Sequence, residues 1–94
     1  MAKVPLSPIG RPLDALLDEG SIAKHRAAAA GAAKALALGD DLDAAEAALR
    51  EVLKKPPHSA SVYYYLARVL ERDLRYEEAA VAYRRAYELI EAGR

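Results

Sequence analysis

Apolar residues recur with a helical period through the second half of the chain. Two sets share a spacing of three and four positions: Tyr63, Leu66, Ala67 and Leu70, and then Tyr76, Ala79, Tyr83, Ala86 and Ile90. Residues spaced in this way lie on one face of an α-helix. The pattern therefore predicts two helices that are separated near Asp73 to Arg75, with Ser59 or Ser61 as the N-cap of the first.

An earlier pair of helices is predicted from stop signals. A helix from about Ile22 to Leu38 is expected to end at Gly39, because glycine is favoured just after a helix C-terminus. A second helix is expected from about Leu42 to Lys55, where two successive prolines stop it because neither can donate to a helical ladder. Gly31 interrupts the first helix at a cost of about 1 kcal/mol relative to alanine, and either close approach of another backbone or simple tolerance accounts for it.

Residues 1–20 have a different character. Prolines are interspersed with apolar residues, which predicts an extended strap, and Pro12 suits the first position of a short helix that reaches about Asp18 and ends at Gly20. The apolar residues of the strap are expected to cover a helix face, either in the same chain or in a neighbouring one. The expected organisation is thus a strap over residues 1–20 and a helical domain over residues 21–94.

The two helix pairs share one pattern. A shift of 34 residues brings apolar positions into register: Ala33 onto Ala67, Leu36 onto Leu70, Ala45 onto Ala79, Leu49 onto Tyr83, and Val52 onto Ala86. A period of this length is typical of helix-turn-helix repeats that stack on one another. Two repeats are therefore expected, over about residues 26–59 and 60–93.

This pattern resembles the tetratricopeptide repeat (TPR). The second unit matches the family's positions at Tyr63, Leu66, Ala67, Leu70, Tyr76, Ala79, Tyr83 and Ala86. The first unit is degenerate and matches at Ala29, Ala32, Ala33, Leu36, Leu42, Ala45, Leu49, Val52 and Pro57, while Glu91 stands where a terminating proline would be. The resemblance implies an all-α fold, in which antiparallel helix hairpins form a short TPR-like α-solenoid with an extended N-terminal strap. Six residues are expected to be buried at helix contacts: Ala45, Leu49, Leu66, Ala67, Ala79 and Tyr83.

Composition narrows the possible functions. The 94 residues include 14 basic and 14 acidic ones, so the chain lacks the basic excess of a nucleic-acid binder. It has no cysteine, which excludes disulfides and thiolate metal sites and fits a cytoplasmic protein. His25 and His58 are expected to be surface residues on different elements, without the companion groups that catalysis or a metal would require. We therefore expect no enzyme activity, no cofactor, no metal and no membrane partner.

The candidate binding residues lie on the first helix of each pair. Three successive tyrosines cannot all face one core, and the repeat register assigns the core position to Tyr63. The resemblance to TPR proteins implies that the first helices line a concave groove, which five residues would face or border: Lys34, Tyr64, Tyr65, Arg68 and Arg72, with Glu71 close by. Alternatively, Tyr64 and Tyr65 pack against the neighbouring helix pair or the strap. The family's clamp for C-terminal carboxylates, a lysine and an asparagine, is not reproduced, because Ala30 and Lys34 occupy those positions.

Two functions are compatible with these features. The first is a protein-protein interaction adaptor, or accessory subunit, that binds a peptide or helix of a larger complex. The second is a structural module that associates with itself as a homodimer or stack, since arrays of fewer than three repeats are marginal alone.

Overall fold

The computed structural model of the chain describes residues 19–93, and within this range all regular structure is helical. Four helices follow one another: α1 (Glu19–Leu38), α2 (Leu42–Val52), α3 (Ala60–Arg72) and α4 (Tyr76–Ala92). The predicted all-α class is thus confirmed for the described residues. The predicted short helix from Pro12 to Asp18, and the strap up to that point, lie outside them.

The start of α1 differs from the prediction. The helix begins at Glu19 and continues through Gly20, where the sequence suggested a break. A single glycine inside a helix costs only about 1 kcal/mol, which a 20-residue helix can absorb. Gly31, farther along, is exposed, and an added Cβ there would meet nothing within 4 Å. Close backbone approach within the described chain therefore does not explain this glycine.

A tight turn follows the first helix of each pair, α1 and α3. Gly39 has a φ of 74°, and its amide donates to the carbonyl of Ala35 at 2.7 Å. After α3, Leu74 adopts the same left-handed region with a φ of 63°, and the amide of Arg75 donates to the carbonyl of Leu70 at 2.9 Å. The second turn is a Schellman motif, in which glycine is the usual occupant of the left-handed position.

The end of α2 was predicted too late. The helix ends at Val52, and the segment Leu53–Lys55 lies outside it. Pro56 explains the early end, because its ring would clash with the carbonyl of Val52 in a continuous helix and disfavours helical backbone at the residue before it. The chain then passes to Ser59, whose Oγ accepts a hydrogen bond from the amide of Val62 at 3.4 Å and caps α3 as predicted.

The core forms around α3, which contacts all three other helices, whereas α4 contacts only α3. The buried side chains of this core are mostly alanines on α1 and α4 and larger residues on α3. They are Ala28, Ala32, Ala35, Leu36, Ala45, Leu49, Val62, Leu66, Ala67, Val69, Leu70, Ala79 and Ala82. Five of the six predicted core residues are therefore confirmed as buried, and the sixth, Tyr83, is partly buried against them. The assignment of Tyr63 to the core is wrong: Val62 is 0% exposed, while Tyr63 is only partly buried.

An ion-pair network joins α2 to the start of α4, although these helices do not contact each other through their backbones. The guanidinium of Arg75 lies 2.8 Å from Glu46 and 2.8 Å from Glu78, and Arg50 lies 2.8 Å from Glu46. Partial burial acts to raise the pKa of Glu46, but the hydrogen bonds from the two arginines outweigh it and lower that pKa. The carboxylate form of Glu46 is therefore the one that the fold favours.

No helix within residues 19–93 combines the length and the apolar character that crossing a membrane requires.

Candidate functional site

Tyr64 and Arg68 form a pair on the exposed side of α3. One helical turn separates them, so that the guanidinium lies 5.7 Å from the centre of the tyrosine ring and Nη1 donates to its hydroxyl at 2.9 Å. The hydrogen bond raises the pKa of Arg68 further above its already high ordinary value. Tyr64 remains 41% exposed. The pair therefore presents an ordered aromatic ring and a permanent cation to solvent.

Tyr83 of α4 supports this pair from the neighbouring helix. Its ring lies 6.1 Å from the ring of Tyr64, and its hydroxyl donates to Oε1 of Glu71 at 2.7 Å. Partial burial, followed by the hydrogen bond to this carboxylate, raises the pKa of Tyr83 to about 12. The three side chains of α3 and the tyrosine of α4 thus form one connected cluster, which we call the tyrosine cluster: Tyr64, Arg68, Glu71 and Tyr83.

Tyr65 lies beside the cluster and serves a different purpose. Its side chain packs against the hydrophobic core, and its ring meets that of Tyr64 at 5.3 Å in an edge-to-face arrangement. Such aromatic pairs add about 0.5–1.5 kcal/mol beyond burial of area. The two alternatives for these tyrosines therefore divide: Tyr65 packs inward and helps to fix Tyr64, whose ring remains accessible.

Arg72 is engaged at the end of α1. Its Nη1 donates to the carbonyl of Leu36 at 2.9 Å, and its Nη2 lies where a Cβ at Gly39 would come within 3.2 Å. Lys34 is exposed on α1 and has no hydrogen bond or ion pair with the tyrosine cluster among the described side chains. The structure thus brings Tyr64, Tyr65 and Arg68 together but does not join Lys34 and Arg72 to them. A ligand contact at any of these five residues stays a prediction.

Arg68, like Arg26, Arg72 and Arg84, has no carboxylate partner among the described residues, in contrast to three other arginines. Arg50, Arg75 and Arg85 each form an ion pair with a carboxylate within 3.5 Å. Among the described residues, Arg68 has only the neutral hydroxyl of Tyr64 as a hydrogen-bond partner, since the nearby Glu71 is bonded to Tyr83. The positive charge of Arg68 is therefore not neutralised by a direct ion pair within this part of the chain.

The histidines do not form a site of their own. His58 is partly buried rather than a surface residue, and its ring meets that of Tyr63 edge-on at 6.0 Å. Its Nε2 is buried and has no hydrogen-bond partner in the described part of the chain. The ring of Tyr63 also contacts Arg85, whose guanidinium lies 5.7 Å from the centre of that ring. No cluster of three or more potential metal ligands occurs within residues 19–93.

Sequence reasoning assigned Tyr83 to the core and did not foresee its part in the site. The signal was present in the spacing, because Tyr83 is flanked by the small residues Ala79 and Ala86, one turn away on either side. Small neighbours on the contacting face of α4 bring its backbone close to α3. A large ring between them must then extend along the surface of α3, where it reaches Tyr64.

No family model matches this chain significantly, and neither the search of curated proteins nor that of solved structures finds a significant match.

Proposed function

We propose that this chain is a TPR-like adaptor that binds a segment of another protein through the tyrosine cluster. The observation that carries the proposal is the arrangement at Arg68, a cation without a carboxylate partner in the described structure, held over an exposed tyrosine ring. Tyrosine and arginine dominate many protein interfaces because each combines apolar contact area with a directional polar group.

The helix boundaries support the TPR-like architecture. α1 ends at Leu38 and α3 at Arg72, while α2 begins at Leu42 and α4 at Tyr76; each pair of positions is 34 residues apart (72 − 38 and 76 − 42). In addition, α3 packs on both helices of the preceding pair as well as on α4. Stacking of each unit on the one before it is the packing expected of a helical repeat.

The chemistry of the cluster defines the proposed ligand. Arg68 favours a carboxylate, and the edge of the Tyr64 ring favours an apolar or aromatic side chain within one or two residues of that carboxylate. Glu71 is close enough to disfavour a long acidic run. The proposed partner segment therefore carries one acidic residue next to a bulky apolar one, and its affinity falls moderately as salt is added.

Selection from a random peptide library, with the immobilised chain as bait, tests the proposal. We expect enrichment of segments with this composition and a loss of about 2 kcal/mol, or roughly 30-fold in Kd, for Tyr64→Ala and for Arg68→Ala. The free energy of unfolding should change by less than about 1 kcal/mol in both variants, because neither side chain belongs to the core.

Arg26→Ala is the matched control, because Arg26 is an exposed arginine near the start of α1 and has no ion pair with any described residue. Selected peptides should bind this variant as they bind the parent chain. If peptides bind equally well to the Tyr64 and Arg68 variants, the tyrosine cluster is not the binding site.

A further inference from the structure

An apolar strip runs the length of α4 and is exposed at every member except the partly buried Tyr83. Its members follow one another at alternating intervals of four and three residues: Tyr76, Ala80, Tyr83, Tyr87 and Ile90. Tyr76 is 61% exposed, Tyr87 62% and Ile90 49%. This spacing defines a seam that another helix can fill along its whole length. Within the described structure α4 contacts only α3, so the seam is not covered by another helix there.

The charged residues of α4 differ in their pairing. On the side toward α2, Glu78 pairs with Arg75, and Arg85 pairs with Glu88. Between these pairs and the strip stands a row at intervals of seven, Glu77, Arg84 and Glu91, all exposed. None of these three forms an ion pair with a described residue. Their order, negative, positive, negative, is a pattern that a second charged row could complement.

We propose that the strip on α4 is a dimer interface, in which α4 packs antiparallel against α4 of a second copy of this chain. When the two-fold axis crosses α4 away from the middle of the helix, Arg84 of each copy lies beside Glu77 or Glu91 of the other copy. The same contact then forms twice, as a two-fold interface requires. Charges at such flanking positions determine the partner and the orientation of paired helices.

The exposed area is of the size that a weak dimer needs. A tyrosine that is about three-fifths exposed leaves on the order of 100–150 Å² accessible, so Tyr76 and Tyr87 together offer roughly 250 Å². Ile90 brings this to roughly 350 Å² for each copy. Two copies therefore bury roughly 700 Å² through these side chains, and the flanking row of charges raises the total toward the area of a weak, reversible interface. A net charge of zero adds no long-range repulsion between copies.

The strip lies on α4, whereas Tyr64, Arg68 and Glu71 of the proposed peptide site lie on α3. The two surfaces share only Tyr83, which the test therefore leaves unchanged. The dimer and the peptide site can thus fail independently of each other.

Sedimentation equilibrium of the full chain, from micromolar to millimolar concentrations, tests the proposal. We expect a reversible dimer, which Tyr87→Ala weakens at least about tenfold by removing apolar contact at the seam. Arg84→Glu makes the row entirely negative, and the double variant Glu77→Arg, Glu91→Arg makes it entirely positive. Each should dimerise at least about tenfold more weakly than the parent chain, since like charges then face each other.

An equimolar mixture of the all-negative and all-positive chains should restore the dimer, because only unlike copies are then complementary. Restoration also shows that both variants are folded, which circular dichroism of each should confirm. Lys24→Glu, a charge reversal at an exposed position of α1, is the matched control and should dimerise as the parent does.

Three results would overturn the proposal. The first is a chain that stays monomeric at every concentration. The second is a dimer that neither the Tyr87 variant nor the charge variants weaken. The third is a dimer that persists in these variants but is lost when residues 1–18 are deleted, which would assign the interface to that segment instead.

Discussion

Arg72 joins the ends of α1 and α3, and replacing it tests how much this junction contributes to stability. The carbonyl of Leu36 lies in the last turn of α1, where carbonyl groups lack partners within the helix, and Nη1 of Arg72 donates to it at 2.9 Å. A hydrogen bond from a charged donor is worth about 1.5–3 kcal/mol, and partial exposure places this one near the lower limit. Arg72→Ala should therefore lower the free energy of unfolding by about 1.5 kcal/mol.

Thermal and urea unfolding, followed by the helical circular dichroism signal, measure this loss. In a domain of this size it corresponds to a decrease in melting temperature of roughly 6–12 °C. Arg68→Ala is the matched control, since Arg68 lies on the same helix but donates only to an exposed hydroxyl, and it should cost less than about 1 kcal/mol. Arg72→Lys should fall between the two, because an ammonium keeps the charge but lacks the planar donor geometry.

Gly39 provides a second measurement of the same junction. Gly39→Ala should cost about 1 kcal/mol for its φ of 74°, and more because the new Cβ would lie 3.2 Å from Nη2 of Arg72. In the Arg72→Ala background only the backbone cost should remain, so the two changes should be less than additive. If Arg72→Ala costs no more than Arg68→Ala and the two sites are additive, the junction contributes little, and Arg72 is free for the ligand contact predicted from the sequence.

Three further changes test the fold and its titration. Ala79→Leu should cost about 1–3 kcal/mol, because Ala79 is 3% exposed at the contact between α3 and α4 and a larger side chain overpacks it; an unchanged melting temperature would contradict that contact. Leu74→Gly should raise the free energy of unfolding by about 1 kcal/mol, since a left-handed leucine is strained where glycine is not, provided that the exposed side chain contributes little; a loss of stability in urea unfolding would refute this account. The pKa of Tyr83 is raised to about 12, so the folded state holds this proton more tightly than the unfolded state does. The resulting contribution to the free energy of unfolding is fully present below about pH 10 and is lost as the pH rises through about 12. Tyr83→Phe should remove the last phase from the spectroscopic titration of the six tyrosines, and its persistence would exclude Tyr83 as the source.

The helix junctions could be predicted because local chemistry determines them. Gly39 supplies a left-handed turn and Ser59 an N-cap, and the 34-residue register transfers the first junction to the second. The end of α2 was placed three residues too late. A proline restricts residues before it as well as its own position, and Pro56 therefore acts as far back as Val52.

The repeat register predicted most of the buried face of α3 but not its edge. Leu66 and Ala67 are buried as predicted, whereas Val62 is buried as well and Tyr63 lies at the edge of that face, in contact with His58 and Arg85. Successive helix positions differ by about 100°, so a run of three similar side chains does not show which of them borders the core. Tertiary contact with α1 and α2 decides this instead.

Part of the candidate site could also be predicted from the sequence. The pairing of Tyr64 with Arg68 follows from their separation of one turn, which the sequence shows directly. The partners of Arg72 and Tyr83 depend on where α1 and α4 meet α3. A linear pattern does not carry that information, because it fixes which residues face outward but not which neighbour each of them reaches.

The central place of α3 determines the order in which the native state should open. The backbone of α4 packs only on α3, and α4 is linked to α2 by ion pairs alone, so it can unfold while the other three helices keep their mutual contacts. Opening of α3 instead removes its contacts with all three other helices and leaves only those between α1 and α2. Amide hydrogens of α4 should therefore exchange with solvent through a subglobal opening, whereas those in the middle of α3 should exchange last and report the full free energy of unfolding.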